Sequence, residues 1–180
     1  MTEKAGEDLL PESDLSSFDT VLDKILQRYV RHFDIERGNH FLGVSLLAMA
    51  QFHSRGERYV LTHRAKLWAV ESHEYALFFG EENFSQERFE AVVSLIETGE
   101  SSLVKPHSEH MYTFLTGVVL TRGLDREVAK LVKRYKWRKS YKFSIHGWCH
   151  IRLAVIDLDS GEIVTNRDGK DLKKMLRGAL

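Results

Sequence analysis

Phe41 to Phe52 reads F-L-G-V-S-L-L-A-M-A-Q-F, a run that is nearly all apolar. A short, continuous apolar run fits a strand covered on both faces. Leu and Ala form helix more readily than strand, so a helix over 44–52 is the competing reading. Beyond it, Ser54-Arg55-Gly56-Glu57 carries a turn signal, and Arg58 to Thr62 restarts an extended run. Lys66 to Phe79 is a third such run, with Leu67, Trp68, Val70, Tyr75, Leu77 and Phe79 supplying the bulk. Three extended segments joined by short turns predict an antiparallel meander, and hence a fold centred on a sheet.

Upstream, apolar residues fall at 18, 21, 22, 25, 26, 29, 30 and 33, the spacing of a four-turn helix with Ser16 or Ser17 as N-cap. Downstream, Asn83 or Ser85 caps a helix bearing Phe89, Val92, Val93 and Ile96 and ending at Gly99. Met111 to Leu120 reads as a strand, and Asp125 to Lys136 as a helix with Val128, Leu131, Val132 and Tyr135 on one face. Ser140 to Leu158 is extended, turns at Asp159-Ser160-Gly161, and returns as Glu162 to Thr165. A last helix runs from Gly169 to Leu176. The predicted order is α-β-β-β-α-β-α-β-β-α, an α+β domain with a mixed, largely antiparallel sheet flanked by helices. Residues 1–15 form a flexible acidic tail, and 16–180 one globular domain.

The composition, 43% hydrophobic and 29% charged, is that of an ordinary globular protein. Glu3, Glu7, Asp8, Glu12 and Asp14 give the N-terminus the wrong charge for a signal peptide. No run approaches 18 apolar residues, so no membrane span is expected. Cys149 is the sole cysteine, which rules out an intrachain disulfide and, with the rest, points to the cytoplasm. Residues 1–104 hold 10 Lys/Arg against 18 Asp/Glu, and residues 105–180 hold 16 against 8. Complementary halves of one fold, a homodimer pairing acidic and basic faces, or a polyanion-binding half would each give that asymmetry.

Nine histidines raise the question of metal first. His146, Cys149 and His150 crowd into I-H-G-W-C-H-I, and His107 and His110 lie close together. In an extended strand His146 and His150 share a face and Cys149 points away. No second half of a zinc signature accompanies them, so the sequence assigns no metal and no cofactor. Cys149 reads as a buried structural thiol, since an adjacent strand residue such as His150 points the other way. Glu71 with Glu74, and Asp157 with Asp159, are the carboxylate pairs that can hold Mg²⁺ or work as acid and base. Asp159 sits in a D-S-G turn, where Asp has a backbone role. The common nucleotide and acyl-transfer signatures are absent, and no catalytic residue is assigned.

Lys130 to Lys142, K-L-V-K-R-Y-K-W-R-K-S-Y-K, interleaves cations with aromatic rings. Arg126, Lys130, Lys133 and Arg134 form a stripe on the third helix, continued by Lys136, Trp137, Arg138 and Lys139. Such a stripe suits phosphates and stacked bases, or else a solvated face answering the acidic half. The leading expectation is a non-catalytic binding domain for nucleic acid or another polyanion. A metal-dependent hydrolase using Glu71, Glu74, Asp157 or the histidines near His146 is the alternative, and a homodimeric structural protein the third.

K-S-Y-K-F-S-I-H-G-W-C-H-I-R-L-A-V-I-D at Lys139 to Asp157, with S-E-H-M-Y-T at Ser108 to Thr113, resembles a family of small uncharacterised bacterial proteins. That resemblance implies no activity and no site. The order helix, three strands, helix, strand is similar to restriction-endonuclease-like nucleases, whose strand acids hold Mg²⁺. This chain has Ser45 where the first acid falls and Thr62-His63-Arg64 where the acid-x-lysine falls. The likeness therefore implies that fold without its chemistry.

Overall fold

The computed structural model describes residues 12–58 and 68–180. Its elements are α1 (Glu12–Tyr29), β1 (Asp34–Arg37), β2 (His40–Phe41), β3 (Val44–Ser45), β4 (Ala48–Arg58), β5 (Trp68–Phe84) and α2 (Gln86–Leu103). There follow β6 (His110–Leu124), α3 (Arg126–Arg134), β7 (Arg138–Ser140), β8 (Trp148–Asp157), β9 (Ile163–Thr165) and α4 (Lys170–Arg177). The class is α+β, as the sequence predicts, with helices in the expected order.

The main sheet runs β1-β4-β5-β6-β8-β7, and β9 also pairs with β8. β4 is antiparallel to both β1 and β5. β5, β6 and β8 are parallel neighbours, because α2 and α3 carry the chain back between them. β7 and β9 both join β8 antiparallel. The mixed sheet is thus antiparallel in most of its pairings, with a parallel centre.

Strand periodicity divides the core in two. Leu77 and Phe79 of β5, Leu115 and Val119 of β6, and Ile151, Leu153 and Val155 of β8 face one way, onto α2 and α3. Ala76, Phe78, Val118, Leu120, Ala154 and Ile156 face the other way, onto α1 and α4. Gly117 lets α2 approach β6, since a Cβ there would stand 2.7 Å from Ile96 Cδ1. Ser85 caps α2 by accepting from the Arg88 amide at 3.3 Å. Asp125 caps α3 by accepting from the Glu127 amide.

Among the described residues five strands precede α2, where the sequence predicts three. The run Phe41 to Phe52 splits into a β2–β3 hairpin, turning through Leu42 and Gly43 at φ 49° and 83°, and the start of β4. Ser54 to Glu57 is not a turn. Arg55 pairs with Glu71 and Gly56 with Val70, so β4 runs on through the small residues. Residues 59–67, including most of the second predicted strand and Thr62-His63-Arg64, lie outside the described residues. α1 starts at Glu12, which places Ser16 and Ser17 inside the helix and the last residues of the expected tail in its first turn. Residues 1–11 are outside the described residues.

Phe18, Leu22, Ile25, Leu26 and Tyr29 of α1 are at most 4% exposed. Truncating such a Leu costs about 2–5 kcal/mol, and for a domain of this size each kcal/mol moves Tm by roughly 2–4 °C. Leu26→Ala should therefore lower the calorimetric Tm by roughly 5 °C or more; an unchanged Tm would mean that α1 is not part of the cooperative core.

Candidate metal centre

β5 is long: 17 residues extend roughly 55 Å at about 3.3 Å each. α2, with 18 residues, covers only about 27 Å. The early half of β5 and the late half of β4 therefore run past the helix that packs on them. On that uncovered stretch, residues 71, 73 and 75 share the α2 side of the sheet by strand alternation. Antiparallel register sets His53 directly across from His73, and Arg55 across from Glu71.

The result is a cluster. His53 Nδ1 lies 3.0 Å from His73 Nδ1, and Glu71 Oε2 lies 3.8 Å from His73 Nε2. One donor atom from each of His53, Glu71 and His73 falls within 4.8 Å of the others. In a tetrahedral zinc site with bonds near 2.0–2.1 Å, donors stand about 3.3 Å apart. Small side-chain rotations would close the observed set onto an ion. His107, from the segment entering β6, brings its Nε2 to 3.1 Å from the same Glu71 oxygen. Arg55 reaches the other Glu71 oxygen at 3.3 Å and Glu109 at 2.9 Å. Glu71 is thus the hub, held by cross-strand and loop partners.

His110 braces the rim and does not add a donor. It is 3% exposed, and its Nδ1 donates to the His146 carbonyl at 2.7 Å. That fixes the neutral ring's tautomer, so Nε2 accepts from Thr113 Oγ1 at 2.9 Å. The bond ties the loop 141–147 to the start of β6. Gly147, at φ 75°, makes this approach feasible, because a Cβ would lie 2.4 Å from the Met111 carbonyl oxygen. Lys142, Phe143 and Ser144 all adopt left-handed backbone, at φ 45°, 53° and 69°. The loop leaves Phe143 99% and Ile145 72% exposed.

Burial is the main reason that His73 titrates below the ordinary histidine range; His53 and His110 add to it, against a smaller opposing pull from Glu71. A neutral imidazole at neutral pH is the form that ligates a metal.

The other sequence candidates are dispersed. Glu74 points to the opposite face from Glu71, where it pairs with Arg152 and accepts from Thr116 Oγ1 at 3.1 Å. His146 precedes β8, so it does not share a strand face with His150. Cys149 is wholly buried, and burial, with Glu100 next, pushes its thiol up to about 12. Asp157 accepts from the Asp159 amide at 3.2 Å and from Ser160 Oγ at 2.6 Å, which is turn chemistry. Ser45 lies in the small β2–β3 hairpin, away from the main sheet.

Several cations of the basic stretch have carboxylate partners. Lys130 meets Glu127 and Lys139 meets Glu100, both at 2.6 Å. Lys133 lies 4.0 Å from Glu162, and Arg138 forks onto Asp168. Trp137 packs against the α2-side core, while Arg126, Arg134 and Lys136 are exposed.

The fold and cluster define an α+β protein with a two-histidine, one-carboxylate set at the uncovered end of its sheet. The chain belongs to the family described as a domain of unknown function, DUF8052, whose model matches residues 17–178. No curated protein and no solved structure matches it. No helix among the described residues is long and apolar enough to cross a membrane.

Because folding lowers the His73 pKa, the unfolded chain binds more protons as pH falls below about 6.5. The sign is therefore loss of stability on acidification, present in full above that pH. Tm measured from pH 7.5 down to 5 should fall, and His73→Gln should flatten that fall; a profile identical in the two proteins would show His73 does not sense folding.

Proposed function

We propose that this protein binds one divalent transition-metal ion, with zinc the best fit, through His53, Glu71 and His73. The observation that carries the reading is the convergence of two imidazoles and a carboxylate from two paired strands. Imidazole nitrogen and carboxylate oxygen at tetrahedral reach are a donor set that zinc prefers, and Mg²⁺, which demands oxygen, does not. Three protein ligands leave a position for water, the arrangement of hydrolytic His₂Glu sites. Metal-dependent hydrolysis is accordingly the reaction class that we assign. His107, hydrogen-bonded to Glu71, would orient that carboxylate when the ion is bound.

Calorimetric titration of metal-free protein with zinc should give one site per chain. His73→Ala and Glu71→Ala should each weaken it at least tenfold, whereas His150→Ala, on the other face, should leave it unchanged. Absence of a stoichiometric site, or equal losses in all three variants, would remove the proposal. Hydrolysis of activated ester and phosphodiester substrates that appears with zinc and vanishes with chelator would support the reaction class.

A further inference from the structure

The sequence draws attention to the basic stretch around α3, but α4 carries a second, compact set of cations. Lys170, Lys173, Lys174 and Arg177 follow i, i+3, i+4, i+7 and line one surface depression together with Gly178. Opposite them, Leu172 and Leu176 are buried in the α1-side core. Among the described residues none of these four cations forms an ion pair; near α3, Lys130, Lys133, Arg138 and Lys139 are paired, and Arg126, Arg134 and Lys136 are not. Arg28 of α1 adds a fifth cation at the edge by donating to the Gly178 carbonyl.

Lys174 and Arg177 suit the last turn, where the helix dipole favours cations, but the ridge as a whole is not arranged for the helix's own stability. Like charges at i, i+3 and i, i+4 repel, and Lys170 and Lys173 sit in the turn where the helix dipole disfavours cations. Asp171 is the only acid in the helix. An unpaired positive ridge on a chain of zero net charge is complementary to a polyanion with regularly spaced charges. From Lys170 to Arg177 the helix rises about 10 Å, which faces about three phosphates of one strand at 3.4 Å each along a duplex. A bilayer suits it less, because α4 has its apolar face on the sheet and keeps none to insert.

We infer that the exposed face of α4, with Arg28 at its edge, is a docking surface for the phosphate backbone of duplex nucleic acid, independent of the metal site. Base readout is no part of it: the surface offers point charges, so binding tracks phosphate and not sequence.

The test is fluorescence anisotropy of the 180-residue chain with a labelled duplex DNA at several salt concentrations. Binding at low salt with a log–log salt slope near −3, from about three neutralised phosphates at roughly −0.9 each, is expected. Lys173→Glu with Lys174→Glu should weaken binding tenfold or more, while Lys130→Glu with Lys133→Glu should change it less than threefold. Unchanged far-ultraviolet circular dichroism checks the fold, and a Lys173→Gln, Lys174→Gln pair, with a smaller loss, serves if the reversal misfolds. No binding by the unmodified protein at low salt, or equal losses in the α3 and α4 variants, overturns the proposal. So does tighter binding to vesicles of anionic phospholipid than to DNA, which would assign the face to a membrane surface.

Discussion

Most of what is distinctive in this molecule depends on the antiparallel pairing of β4 with β5, which continues without a bulge from Ala48 opposite Phe78 to Arg58 opposite Trp68. At its inner end the pairing buries Met49 and Leu77 on one side and Ala50, Ala76 and Phe78 on the other. At its outer end the same hydrogen-bonded ladder extends past the helices and holds polar side chains in fixed opposition. A slip of one residue would invert every side chain of β4. It would carry His53 to the far face and drive Met49 into the α1-side core, where the small Ala48 and Ala50 now pack. The hydrophobic inner half therefore specifies the register that the polar outer half uses.

That dependence explains what the sequence made legible. Helices were readable because their apolar stripes are long: Phe18 to Tyr29 repeats over several turns, and Phe89, Val92, Val93 and Ile96 all proved to be core. Ser85 was visible as a cap by residue type. The site was not legible for a specific reason. Reading Ser54-Arg55-Gly56-Glu57 as a turn ends the strand just after His53, so His53 and His73 never come opposite one another. Gly56 and Ser54 are local turn formers, but eleven consecutive cross-strand pairs outweigh them. The alternation E-x-H at Glu71 and His73 was present as a signal, and it needed a long partner strand to acquire meaning. Glu74, three residues from Glu71, drew notice by proximity alone, which in a strand means the opposite face.

Charge tells a related story. The acidic first half and basic second half are partly reconciled within one chain, since Lys139 reaches back to Glu100. Other pairs stay inside the second half, as with Lys133 and Glu162 or Arg138 and Asp168. A density of cations in sequence thus says little about the field at the surface, because neighbouring elements supply counter-charges that composition does not reveal. Lys139 also shows how mixed such a residue is. Its ammonium lies 5.5 Å from the Tyr141 ring centroid as well as against Glu100, so its role is to pin the β7 edge to α2.

The burial of Cys149 carries a practical consequence. The only sulfhydryl in the chain sits on β8, between β6 and the short β7, among Leu115, Ile151 and other core side chains. With its acidity suppressed to about 12, almost none is thiolate at neutral pH, and the thiolate is the reactive form. Alkylating reagents reach the sulfur only when the α2-side core that covers it opens. The rate of modification of the native protein is then a clock for opening of that layer, read without any engineered probe. The same seclusion keeps the folded chain monothiol and unlinked in air.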